Sequence, residues 1–130
     1  MDTDQVAGLV FVALASVMAI FQIALALGAP WGAAAYGGTN PGTLPTRQRV
    51  TSGIAGVVLY PLTALFVADV SGVFDLGWTA GQSSVWLWVL AGLFAVGTLA
   101  NAMSGSPPER YWAIVTFGMC LTSGWLALGI

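Results

Sequence analysis

Histidine and lysine do not occur in this sequence, cysteine occurs once, and charged side chains make up 6% of its 130 residues. Each scarcity removes a class of chemistry. Without histidine, the commonest ligand of haem, zinc and iron is missing, and so is the usual general base. Without lysine there is no Schiff-base amine and no phosphate-binding P-loop lysine. Cys120 alone forms neither an intrachain disulfide nor a cysteine metal cluster. Three arginines and five acids leave a net charge of −2, which offers no basic field, so nucleic-acid partners are excluded. No metal and no cofactor is expected. Nor is an enzyme: Cys120 and the tyrosines are the remaining nucleophiles, and Cys120 falls within an apolar run that supplies no base.

What is present is hydrophobic. Apolar residues account for 58% of the chain and the mean hydropathy is +0.88, whereas a soluble domain carries roughly 25% charged residues. Four segments, at residues 5–27, 50–70, 84–103 and 110–130, reach the length of about 20 apolar residues that crosses a hydrocarbon core. The expected fold is all-α: one domain over residues 1–130, a bundle of four transmembrane helices built as two helical hairpins. The first segment is read as a retained span rather than a signal peptide, because Asp2 and Asp4 occupy the place where a signal peptide carries basic residues.

The arginines set the orientation. Arg47 and Arg49 lie in the long loop at residues 28–49, and Arg110 lies in the turn between spans three and four. With four spans those two connections share one face. Basic residues stay cytoplasmic, so the chain is expected in the plasma (inner) membrane with both termini outside. Asp2, Asp4, Asp69 and Asp75 then fall outside with the loop at residues 74–82, and Glu109 alone falls inside. Tryptophans fit two interfacial belts: Trp31 and Trp112 within, and Trp78, Trp86, Trp88 and Trp125 without.

Local patterns refine the helices. Pro45-Thr46-Arg47 before span two and Pro108-Glu109-Arg110 before span four form a weak echo, which proline's fitness for a first helical turn explains without duplication. Ser106-Pro107-Pro108-Glu109 has the spacing of a capping box, a structural task for Glu109. Small residues at four-residue spacing let helices approach closely in lipid: Ala15 and Ala19, Ser52 and Gly56, Ala91 and Ala95. They predict a tight bundle with little room for a wide pore. Tyr60-Pro61, in the middle of span two, should free the Val57 carbonyl and bend the helix.

Polar groups within spans are the usual pointers to function. Gln22, Asn101 and Asp69 are the candidates, with Thr63 and Thr98 at intermediate depth. Gln22 and Asn101 must face protein or water, either as interhelical bonds that fix register or as the lining of a polar pocket at the cytoplasmic side. Asp69 reads as a hydrated helix end or, alternatively, as a carboxylate on a proton-coupled path.

The loop begins GAPWGAAAYGG, residues 28–38, with four glycines, two aromatics and no charge. It is too apolar to be disordered, and Trp31 and Tyr36 should seek the interface. The expectation is an ordered cap over the inner mouth of the bundle, its glycines allowing close backbone approach and its N–H groups open to a ligand. Trp31, Gly32 and Tyr36 are its candidate contact residues. Arg47, Arg49 and Arg110 stand beside it at the depth of anionic lipid headgroups, whose phosphates arginine binds in bidentate fashion.

GAPWGAAAYGG followed by PGTLPTRQRVTSG, then Asn101 and SGSPPERYW, resembles an uncharacterised family of small four-span bacterial integral membrane proteins, mainly actinobacterial. The likeness covers nearly the whole chain. It implies the four-span fold and the cytoplasmic glycine-rich loop, and it carries no activity over. The small multidrug-resistance transporters have a similar length, but they need a glutamate in the first span, where this chain has Gln22. The leading expectation is therefore a lipid-binding, lipophilic-ligand-binding or accessory membrane protein. Its partners would be membrane lipids, and a homo-oligomer or a larger membrane protein would also fit. The alternative is a small oligomeric transporter or channel with Gln22, Asn101 and Asp69 along the path.

Overall fold

A computed structural model describes residues 1–80 and 84–129 of the chain. Gln82 and Ile130, the ends of the expected outer loop and fourth span, lie outside the described residues. Four helices are long and apolar enough to cross a membrane: α1 (Thr3–Ala26), α2 (Thr46–Val70), α3 (Val85–Ala102) and α4 (Pro107–Gly129). No strand occurs among the described residues. The chain is thus a four-helix bundle of two hairpins, as its apolar segments predict.

The boundaries move where polar residues extend the helices. Pro45 holds the extended conformation before α2, so the helix starts at Thr46, a turn ahead of its apolar run. The prolines at the start of α4 likewise carry that helix back to Pro107. Asp2 and Gln5 form a reciprocal capping box at α1. At the other end of α1, Gly28 (φ 101°) gives a Schellman close, with Ala29 N–H donating to the Ala24 carbonyl at 2.9 Å. Proline does not simply kink α2. Residues Ala55–Leu59 form a π turn in which Tyr60 N–H reaches the Ala55 carbonyl, and this wider turn makes room for the ring of Pro61.

The helices are arranged in the order α2, α1, α4, α3, with α2 on α1, α1 on α4, and α4 on α3. Small residues make these seams. A side chain on Gly56 would meet Ile23 and the Ala19 carbonyl of α1; one on Gly118 of α4 would meet Leu14. Gly124 lies over Ala91, and Thr98 bonds Thr116 across α3 and α4 at 3.1 Å. The bundle is nevertheless not tight all round, contrary to the small-residue pattern, because α2 and α3 do not pack along their lengths. Ser52 spends its hydroxyl on the loop, accepting or donating with Tyr36 Oη at 3.0 Å, and Ala95 is only half-buried.

Both termini lie at one end: Gly129 sits beside Asp4, and Gln5 donates to the Gly72 carbonyl after α2 at 3.1 Å. The two arginine-bearing connections share the other. At the terminal end Phe11, Val67, Leu87, Met119 and Leu126 are fully enclosed, and Phe11 meets Phe94 edge-on at 5.8 Å. At the loop end a smaller core of Phe21, Leu25, Ala35 and Leu44 pins the connection against α1.

Candidate functional site

The segment between α1 and α2 folds into two short 3-10 turns, Gly32–Ala34 and Tyr36–Gly38, and covers the loop end of the bundle. Gly32 is where the strand of backbone at residues 40–42 passes: its N–H donates to the Gly42 carbonyl at 3.0 Å, and a side chain there would collide with the Asn40 and Gly42 carbonyls. Tyr36 adopts φ 50°, a strained value for a residue with a side chain. Its hydroxyl is held by Ser52 and by the Gln48 carbonyl at 3.3 Å. The loop is ordered, but its N–H groups are not open to a ligand as expected. Those of Gly32, Ala33, Ala34, Ala35 and Gly38 bond within the loop, and Gly37 N–H donates to Glu109 Oε2 at 2.9 Å.

Glu109 therefore does not close the predicted capping box. Ser106 makes no side-chain cap; its hydroxyl donates to the Ala33 carbonyl, and the glutamate turns to the loop instead. The loop, packed on this turn, competes for both side chains and wins them. The residue as a whole is nine-tenths buried.

Beneath the cap lies a cavity of about 330 Å³. It exists because α2 and α3 diverge and because Ala55, Gly97 and Ala100 line it with little bulk. α1 contributes Met18, Phe21 and Gln22; the cap gives Ala34, Ala35 and Tyr36; α2 adds Leu59, Tyr60 and Thr63 at and after the π turn. Phe94 and Asn101 come from α3, and Glu109, Trp112 and Thr116 from α4. The wall is mainly apolar with polar groups converging at the loop end. Gln22 Oε1 and Trp112 Nε1 are buried and have no hydrogen-bond partner among the described residues. Toward the terminal end, a groove of about 420 Å³ continues along the α2–α3 seam, sharing Thr63 and walled by Leu62, Phe66, Trp78, Trp86, Val89 and Leu90.

The structure brings Gln22, Asn101 and Tyr36 to this cavity. It places the other candidates elsewhere. Trp31 is half-exposed and stacks parallel to Phe21 at 6.4 Å. Arg49 Nε donates to the Ala26 carbonyl at 3.1 Å, closing the end of α1, and Arg110 Nε donates to the Ser104 carbonyl at 2.7 Å. Arg47 is exposed on the first turn of α2. Asp69 is at the opposite end, where its carboxylate gathers the N–H groups of Leu76 (2.6 Å), Gly77 (3.1 Å) and Thr79 (2.8 Å) and the Thr79 hydroxyl (2.8 Å). Those four donors make it the organiser of the loop after α2.

Three cavity residues escape the sequence reading: Glu109, assigned to a cap; Trp112, assigned to an interfacial belt; and Tyr60, noted only for its proline. Trp112 is half-buried and packs on Phe21 at 4.4 Å. The signal was present. Glu109, Trp112 and Thr116 are spaced i, i+3, i+7, and Met18, Phe21 and Gln22 are spaced i, i+3, i+4, so each set lies on one helix face. Among the described residues no group of acids and cysteine is placed to hold a metal ion. Comparison of the chain with family models, with curated proteins and with solved structures gives no match.

Proposed function

We propose that this membrane protein binds a lipid or lipophilic small molecule in the cavity beneath the cap, with its polar group toward Gln22 and Asn101 and its apolar part along the α2–α3 seam. The observation that carries this is the Gln22 side chain, which lines the cavity while its amide oxygen, enclosed behind the wall, has no donor among the described residues. A buried acceptor left unpaired costs about 1–3 kcal/mol, and Trp112 Nε1 leaves a donor in the same wall. A molecule carrying a hydroxyl, amide or amine reaches the acceptor once the amide turns into the cavity, and one that also accepts reaches the indole in the same way. Volume agrees, since ligand cavities run from about 300 to 1,000 Å³. The seam between α2 and α3 supplies a route from the bilayer.

A channel is less well supported. Phe11, Met119 and Leu126, none of them exposed, fill the interior of the terminal half, so what leads on from the cavity is the groove along the α2–α3 seam rather than a pore through the bundle. By the positive-inside tendency the cap faces the cytoplasm, both termini face outward, and the exposed Arg47 meets lipid phosphate. Cysteines introduced at Thr3 and Gln48 test this orientation: an impermeant maleimide should label the first in intact cells and spare the second, and the reverse pattern inverts the assignment.

Gly97→Leu tests the binding. A β-carbon at Gly97 touches only the Thr116 methyl, at 3.8 Å, so a leucine there enters the cavity without displacing backbone. The variant should fold with unchanged or higher thermal stability and lose the small molecules that purify with the parent, as read by mass spectrometry of extracts. Identical extracts from parent and variant would remove the reading.

A further inference from the structure

Glu109 does more in this site than a latch requires. Buried charges are as a rule paired with an opposite charge, yet this residue is nine-tenths buried and forms no ion pair among the described residues: the adjacent Arg110 turns its Nε to the Ser104 carbonyl instead. Among the described residues its carboxylate accepts one hydrogen bond, from the backbone N–H of Gly37 on Oε2. A neutral amide would serve that bond as well. The N-terminus of α4 favours a carboxylate in its first turn, but it offers only a partial charge. Glu109 also lines the cavity, and so do the aromatic residues Tyr36, Tyr60, Phe94 and Trp112. An acid together with several aromatic faces is the chemistry that attracts a positive nitrogen, by charge and by cation–π attraction.

We infer that the ligand of this cavity is a lipophilic cation, an amphiphile whose head is a protonated amine or a quaternary ammonium, with Glu109 as its counter-ion. This rests on the binding role proposed above and specifies the ligand's class. Gln22 then receives an N–H of a protonated amine. A quaternary head instead leaves Gln22 to polarised methyl groups.

The test compares decyltrimethylammonium with decyl alcohol, two probes of equal chain length, titrated at neutral pH into the full chain in maltoside micelles, with empty micelles subtracted. The parent should bind the cation about tenfold more tightly than the alcohol, the range expected of a desolvated cation–π site with a counter-ion. Glu109→Gln retains an oxygen for Gly37 N–H, so it should abolish that preference and leave the alcohol's affinity as it was. Equal binding of both probes by the parent, or a preference that survives in Glu109→Gln, overturns the cation while leaving a binding protein. Binding of neither probe by the parent overturns the binding role itself. Should Glu109→Gln bind neither, its cap has come loose and Trp112→Leu decides, because it leaves the Glu109–Gly37 bond intact: it must weaken the cation more than the alcohol, and equal weakening overturns the assignment.

Discussion

The two ends of the bundle are built from the same kinds of residue and use them in opposite ways. At the terminal end the fully enclosed Phe11 meets Phe94 edge-on at 5.8 Å, where this packed core gives way to the cavity. At the loop end Phe21 lies between Trp31 and Trp112, and Phe21 and Trp112 wall a space rather than fill one. In lipid the tails are as apolar as the side chains, so helices are held by close contact rather than by exclusion of water. An empty volume between helices is then a loss of contact with no hydrophobic gain elsewhere. The loop end accepts that loss and offsets part of it with the cap, whose Leu44 and Ala35 pack with Phe21 and Leu25 of α1. Close packing is concentrated in one half and open volume in the other.

That division predicts unequal responses to substitution. The largest effect is expected from Phe11→Ala, which opens a void in a core with 0% exposure at that residue. Truncations of buried aromatics cost about 3–5 kcal/mol, and the variant should melt well below the parent in detergent. If it melts with the parent, the terminal half is not the part that holds the bundle together. Next comes Gly32→Val. The Asn40 and Gly42 carbonyls occupy the place of its side chain, so the cap must open; overpacking of this kind costs about 1–3 kcal/mol. Its signature is local: limited proteolysis should cut between Gly28 and Thr46 in the variant while the helices remain intact. A resistant loop would mean that the cap is looser than its bonds imply.

The sequence made the bundle legible and left half of the site obscure, for physical reasons. Spans are encoded by long apolar runs, and no partner residue is needed to read them. Gln22 and Asn101 were visible because an amide within a span has few ways to be satisfied. Glu109 was misread because the capping-box spacing is a local pattern, and whether it forms depends on what competes for the side chains. Here the competitor is Gly37, 72 positions away in the chain. The open α2–α3 seam was invisible for a related reason. Small-residue motifs mark surfaces able to approach closely, yet each helix has only so much perimeter, and α2 spends its small face on α1 through Gly56. Asp69 stands at a helix end, as read, but its part in ordering the next loop was not visible, because the three N–H groups and one hydroxyl that gather on it belong to an irregular segment, which carries no periodic signal.

The smallest change in stability, and the one that separates the two halves most sharply, is expected from Gln22→Leu. An interhelical hydrogen bond at this position would make the leucine destabilising, since its mate would be left unpaired in an apolar interior. The structure shows no such mate for Oε1 among the described residues. Replacing the amide with an apolar side chain of similar size therefore removes a buried unsatisfied group and breaks nothing, and the melting temperature should hold or rise, within about 0.5 kcal/mol of the parent as for substitutions that disturb no partner. Binding should fall nonetheless, because the acceptor that the ligand's polar group meets is gone. A variant that is clearly less stable would show that Gln22 does bond another helix, and the loop half would then be a second packed core rather than a site. Parental stability with binding lost is the result that only a cavity kept open for a ligand produces.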